Sequence, residues 1–246
     1  RKRSTMFDKA EYVHLLGLIR TRLRRFEEAQ HLDDFIVLRH DVEFSVEHAR
    51  RMAQWEFDNH VRSAYFFQVS SDAYNCLSVV NQNQIREILG MGHEIGLHCY
   101  IKPYTEWSSL HKEMLWQKEI LASVVGQDIR LMSFHRPPVQ LLQEAADEMA
   151  GMLSTYGKSF FEFSTQPSKA RSVKYCADSR RQWDYGYPVE FLNAFRKMQL
   201  LIHPDYWSDV SMNTHEQGMD LCQAHQTKFV DVLRRETRQF AEFQPF

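Results

Sequence analysis

Short apolar runs alternate with amphipathic stretches along this chain, and four of the runs end in a histidine or a carboxylate. Ile36-Val37-Leu38 leads into Arg39-His40-Asp41-Val42-Glu43, and Ile95-Gly96-Leu97 into His98. Leu131-Met132-Ser133-Phe134 leads into His135-Arg136-Pro137-Pro138, and Leu200-Leu201-Ile202 into His203. Buried strands that stop abruptly in ionisable groups present chemistry at the carboxyl edge of a parallel sheet. The four ends are therefore expected to meet at one place.

The intervening stretches read as helices. Tyr12, Leu15, Leu16, Ile19 and Leu23 recur at helical spacing and predict one helix from Phe7 to Glu28, with a solvated basic face of Arg20, Arg22, Arg24 and Arg25. Ser45 is a candidate N-cap for a helix ending near Asn59. Further helices are expected over Gln82–Leu89, Trp107–Val125, Val139–Met152, Phe191–Phe195 and Met212–Phe240. Strands are expected over Phe35–Leu38, Arg62–Gln68, His93–His98, Ile129–Phe134, Phe160–Phe163, Ser172–Cys176 and Met198–Ile202. Strands alternating with helices predict an α/β fold with a parallel sheet, closed as a barrel in one version. The whole chain, 1–246, reads as a single domain with extra helices at its two ends.

Composition narrows the function classes. A net charge of -2 gives no nucleic-acid footprint, and no run approaches the ~18–20 apolar residues that span a bilayer. The short basic start, Arg1-Lys2-Arg3, has no apolar run behind it, so the expectation is a cytoplasmic protein. Cys76, Cys99, Cys176 and Cys222 lack C-x-x-C spacing and read as reduced thiols. Glycine is sparse, at 9, and no phosphate-cradling motif occurs. The 12 histidines make a metal site worth testing.

Asp41 and Glu43 are two apart, so on a strand they share a side and can together hold a cation, or divide ligand and base between them. His93 and His98 are five apart and face opposite sides; His98 is the candidate for the site and His93 for structural hydrogen bonds. Pro137-Pro138 stiffens the loop that carries His135 and Arg136, where Arg136 would hold either a carboxylate base or a substrate oxygen. His203, followed by Tyr206 and Trp207, is either a proton donor beside a sugar platform or a capped histidine under the tryptophan. Asp178 is placed to orient one of the histidines. The combination points to a metal-dependent hydrolase.

Taken together, these motifs resemble those of the polysaccharide deacetylases, the carbohydrate esterase family four group. Gly92-His93-Glu94-Ile95-Gly96-Leu97-His98 is similar to that family's G-H-E-I-G-x-H segment, Arg136-Pro137-Pro138 to its R-x-P motif and Leu200-Leu201-Ile202-His203 to its L-x-I-H motif. Arg39-His40-Asp41-Val42-Glu43 resembles the R-H-D-V-D opening of a branch found in surface-polysaccharide (O-antigen) clusters. The resemblance implies a distorted (β/α) barrel and one divalent cation, zinc in expectation. It also implies hydrolysis of an N-acyl group on a sugar during cell-surface lipopolysaccharide synthesis; without a signal sequence, the expected substrate is a small nucleotide- or lipid-linked sugar. On this resemblance the expected catalytic residues are Asp41, Arg136 and His203 and the expected metal ligands come from Asp41, Glu43 and His98, to which this chain's own His135 is added as a candidate ligand. Three departures stand out. Val42 separates carboxylates that are adjacent in the usual T-F-D-D opening, so base and ligand do not transfer by position. Glu43 replaces an Asp. Lys102 stands where the family has a second histidine, and His135 is the candidate replacement. A sugar-binding protein with altered catalysis is the alternative.

Overall fold

The computed structural model describes residues 6–101, 107–144, 146–163 and 172–244. Arg1-Lys2-Arg3 and Lys102 lie outside them. One eight-stranded sheet organises the chain. Its strands are β1 (Phe35–Val42), β2 (Ala64–Phe67), β3 (Glu94–Tyr100), β4 (Leu131–His135), β5 (Glu148–Met149), β6 (Met152–Ser154), β7 (Val173–Ala177) and β8 (Lys197–Ile202). Their order is β5-β6-β4-β3-β2-β1-β8-β7, and every pairing is parallel except that of β5 with β6. The helices are α1 (Lys9–Ile19), α2 (Phe26–Ala29), α3 (Val46–Asp58), α4 (Val79–Gly90), α5 (Trp107–Val125), α6 (Val139–Glu144) and α7 (Thr214–Glu236).

The sheet curls without closing. Among the described residues no ladder joins β5 to β7, so the expected barrel is an open half-barrel, ended by a β5 of two residues. Curling follows from a side-chain contact. Arg39 on β1 bonds Thr155 Oγ1 at 2.9 Å, one residue past β6. Four strand spacings separate these strands, about 19 Å on a flat sheet, farther than an arginine reaches. Gln199 on β8 reaches across as well, donating to the carbonyls of Thr155 and Phe160 at 3.0 Å each.

Strand alternation then divides the side chains. Ile36, Leu38, Met198, Leu200 and Ile202 pack with α1 and α3 on the convex side, and Ile95, Leu97, Cys99, Met132 and Phe134 pack toward α4 and α5. Phe35, Val37, Ala64, Phe66 and Leu131 face the concave interior, where Phe26 and Phe160 complete the floor with ring centroids 5.0 Å apart. Gly96 is required on this face: a Cβ there would stand 2.5 Å from the Phe66 ring.

Several expected elements are corrected. The first helix breaks after Ile19, because Arg22 donates to the carbonyls of Leu192, Phe195 and Arg196 and the Arg24 N–H bonds Ile36 O. These long-range bonds override helix propensity and free α2 to carry Phe26 beneath the sheet. Val139–Met152 is helical only to Glu144. Ala150 and Gly151 adopt φ of 50° and 67°, a two-residue turn that folds β5 onto β6. Phe160–Phe163 is no strand, since Phe160 turns on Gly157 O and plugs the floor. Phe191–Phe195 is not a helix either: a 3-10 turn covers Pro188–Phe191. α4 begins earlier than expected, capped by Ser78, and Ser45 caps α3 as expected. Among the described residues no helix is long and apolar enough to cross a membrane.

Behind β1, Glu56 of α3 is fully buried and takes bonds from Tyr12 OH (2.6 Å), Ser63 Oγ (2.6 Å), Tyr65 OH (2.7 Å) and His40 Nε2 (2.8 Å). His93 joins this group, accepting the Ser63 N–H and donating to Ala53 O, which is the structural role expected of it. Burial alone would raise the Glu56 carboxyl, but His40, His93 and Ser63 outweigh it and hold it down from 4.5 to about 2. A depressed carboxyl contributes stability above its unfolded value and loses it as pH falls through the folded one. The shift corresponds to about 3 kcal/mol at roughly 1.4 kcal/mol per pH unit, lost between about pH 4.5 and 2. Glu56→Gln should therefore lower stability at neutral pH by about this amount and flatten the acid limb in that window, as read by urea unfolding across pH.

Candidate metal and acid–base centre

The concave face turns from apolar to charged as it approaches the carboxyl edge. On β1 the sequence of inward positions is Phe35, Val37, Arg39, Asp41, then Glu43 just past the strand. β3 supplies His98 and Tyr100, β4 supplies Ser133 and His135, and His203 follows β8. The register sets His98 beside Ser133 and Tyr100 beside His135. The strand ends do converge.

Glu43, His98 and His135 form a group of possible metal ligands whose donor atoms all lie within 4.8 Å of one another. Glu43 Oε1 is 2.8 Å from His135 Nδ1 and 3.6 Å from His98 Nε2, and the two ring nitrogens are 3.3 Å apart. The Nδ1 of His98 bonds Ser133 Oγ at 2.7 Å, which leaves Nε2 to face the cluster. A second nitrogen fixed by an outer hydrogen bond is the usual support of a metal-binding histidine. Burial lowers the His98 pKa against the pull of Asp41 and Glu43, so the ring is neutral, as a ligand must be. Burial raises the Glu43 carboxyl, but bonds from His135 and His98 bring it far below the usual carboxylate range. His135 is also stacked on Tyr100, with centroids 5.1 Å apart.

Asp41 stands beside this group, with Oδ2 3.7 Å from His98 Nε2. Both its oxygens are gripped by Arg39, from Nε to Oδ1 at 2.8 Å and from Nη2 to Oδ2 at 2.7 Å. Arg39 and Asp41 are 0% and 2% exposed, so this is a desolvated pair. Burial raises the Asp41 carboxyl, but the guanidinium charge and its two bonds outweigh that and lower it. Tyr156 and Thr155 satisfy the rest of the guanidinium.

His203 closes the other side, its Nε2 3.9 Å from Glu43 Oε1. Asp178, fully buried, bonds His203 Nδ1 at 2.7 Å and also takes the Trp207 indole N–H at 2.8 Å. Burial lowers the His203 pKa, but the Asp178 charge and bond, with Glu43 and Asp41 behind them, raise it to about 9. It is an imidazolium at neutral pH.

The site residues expected from sequence divide as follows. Asp41, Glu43, His98, His135 and His203 are brought together. Asp41, named both as base and as ligand, lies beside the ligand group, with Oδ2 3.7 Å from His98 Nε2, and each of its oxygens also accepts a bond from Arg39. Arg136 is exposed, sits at φ 49°, and makes no hydrogen bond or ion pair among the described residues. The arginine that holds the carboxylate is Arg39, and the signal for it was its i, i+2 spacing from Asp41. Ser133 was also missed, although it alternates with His135 on the same strand. Burial pushes the Cys99 and Cys176 thiols up to about 12, so neither is a nucleophile at neutral pH. Two hollows of about 440 Å³ each open at the opposite, amino edge, the first lined by Arg25, Glu94 and Arg130 and the second by His31 and Glu148. The Glu43, His98 and His135 group lines neither of them, so converging chemistry rather than volume locates the centre among the described residues.

No family model and no curated protein matches the sequence. Solved structures resemble its backbone. The peptidoglycan deacetylase PdaC from Bacillus subtilis has 13% identity and TM-score 0.45 over 82% of this chain and 96% of that one. The Bc1960 peptidoglycan N-acetylglucosamine deacetylase has 14% identity and TM-score 0.46 over 81% and 84%. BA3943 from Bacillus anthracis, described as a CE4 family pseudoenzyme, has 14% identity and TM-score 0.42 over 78% of this chain. This chain covers 60% of that pseudoenzyme's length. Likenesses this partial bring neither an activity nor a residue role to this chain.

The Arg39–Asp41 pair yields a stability prediction. Arg39→Met strips a buried carboxylate of its partner and should cost about 3–5 kcal/mol, measured by chemical denaturation. Adding Asp41→Leu should recover most of that loss; an unrecovered double variant would mean that packing, and not the stranded charge, set the cost.

Proposed function

We infer that the centre is a metal-dependent amide hydrolase that removes an N-acyl group, acetyl or formyl, from an amino sugar. The observation that carries this reading is the meeting of three elements at one strand edge: the Glu43, His98 and His135 ligand group, the Arg39-held Asp41, and the Asp178-held His203. Two imidazoles and a carboxylate match the donor set of catalytic zinc sites, and the Ser133 bond already turns His98 Nε2 inward. A divalent cation held there would supply Lewis acidity, polarising an acyl oxygen and easing the ionisation of water.

The chain's own groups do the proton work. Asp41 stays ionised under Arg39 and accepts the proton of the attacking water. His203, charged at neutral pH, donates a proton to the departing amine nitrogen. Asp178 holds the ring so that Nε2 is the nitrogen turned toward Glu43. The exposed Arg136 remains a candidate for a substrate oxygen. The amino sugar and its place in cell-surface polysaccharide (O-antigen) synthesis rest on the motif resemblance.

Elemental analysis of the untreated protein is expected to find one divalent cation per chain. His98→Ala and His135→Ala should lose it. Acetate or formate release from N-acylated amino sugars should vanish in Asp41→Ala. In His203→Ala, turnover should fall about 10²–10⁴-fold with the cation retained. Loss of the cation in His203→Ala would make that residue a ligand and overturn its role as acid. Absence of release across a panel of N-acyl sugars, with metal supplied, would rule out the hydrolase; sugar binding without release would instead select a binding protein.

A further inference from the structure

Asp205 lies two residues past His203, in the 3-10 turn Pro204–Tyr206, and is 1% exposed. Its Oδ2 accepts the N–H of Phe44 at 3.0 Å. Phe44 is the residue directly after Glu43. One carboxylate thus ties the turn bearing a ligand-group carboxylate to the turn bearing the acid. The Glu43 to His203 separation of 3.9 Å is measured across this tie.

Asp205 is itself held from behind. Its Oδ1 faces His48 Nδ1 at 3.3 Å, out of line for a hydrogen bond, and the far nitrogen of His48 lies 3.6 Å from Asp220 of α7. Gln217 of α7 donates to the Asp205 carbonyl, and His225 of α7 donates from Nε2 to the Phe44 carbonyl at 3.3 Å. α7 therefore grips both ends of the tie, the Phe44 peptide and the Asp205 backbone. None of these residues has a place in the proton transfers above.

We propose that Asp205 is a positioning residue, which with α7 behind it fixes the Glu43 turn against the His203 turn and so sets the geometry of the cation site. The proposal rests on the reading of Glu43 as a metal ligand. A ligand whose backbone is loose loses affinity, as when an outer-shell partner of a metal ligand is removed, by about 10–100-fold.

The test uses the full chain and zinc alone. Affinity is measured by competition with a chromophoric chelator, and exchange of the Phe44 amide by NMR in the metal-free protein. Asp205→Ala is expected to weaken zinc binding about 10–100-fold and to speed exchange at Phe44. Asp205→Asn keeps an oxygen for the Phe44 N–H and should bind within about threefold of the parent. A role confined to stability would lower Tm in Asp205→Ala and leave zinc affinity alone, which would overturn the proposal. Where Asp205→Ala does not fold, His225→Ala carries the test, because His225 is exposed. A threefold or greater loss of zinc affinity supports the tie, and unchanged affinity overturns it. If the parent protein itself takes up no zinc, the metal reading falls and this inference falls with it, whereas a zinc-binding parent with an indifferent Asp205→Ala defeats the inference alone.

Discussion

A guanidinium and a carboxylate lie buried together inside the curl of a β-sheet, and the arrangement around them follows from that. Neither Arg39 nor Asp41 has water to fall back on, so each must be satisfied by protein. Arg39 does this by spanning the concavity to Thr155 and Tyr156, which requires the sheet to bend. Asp41 does it by accepting both arms of the fork, with Ser133 nearby at 3.4 Å. Ser133 in turn fixes His98. The pair thus shapes the sheet and orients the ligand group.

Two such polar centres occupy opposite faces of β1, one residue apart. His40 points to the helices and meets Glu56; Asp41 points inward and meets Arg39. His40 also bonds the carbonyl of Ile202, immediately before His203, at 3.1 Å. The convex-side network is therefore joined to the strand end that carries the acid. Buried polar groups are costly unless fully paired, and each partner fixes another element's place: Tyr12 locks α1, Ser63 and Tyr65 lock β2, His93 locks the start of β3.

The parts of the site that were legible in sequence are those governed by period-two alternation. Asp41 and Glu43 share the inward side, His98 and not His93 faces inward, and the four strand ends meet. The parts that were not legible depend on contacts between distant segments. Two arginines flanked the candidate site, and the motif resemblance favoured Arg136; only the curl shows that Arg39 points at the carboxylate. Glu56 was not singled out in the sequence, although Ala49, Ala53 and Glu56 fall on the same buried stripe. The break after Ile19 and the hairpin at Ala150-Gly151 arose from long-range bonds and left-handed backbone, which helical periodicity does not report. Asp178 gave only a weak signal, because its two partners, His203 and Trp207, lie 25 and 29 residues away.

The aromatic floor laid down by Phe26, Phe35, Phe66 and Phe160 has one more consequence. It seals the amino end of the concavity, and the layer of Arg39 and Gln199 above it adds a second stopper. Among the described residues the Glu43, His98 and His135 cluster therefore has two closed layers beneath it and faces the carboxyl edge. A molecule that reacts there cannot be drawn through the sheet toward its amino end, so arrival and departure both belong to the carboxyl side.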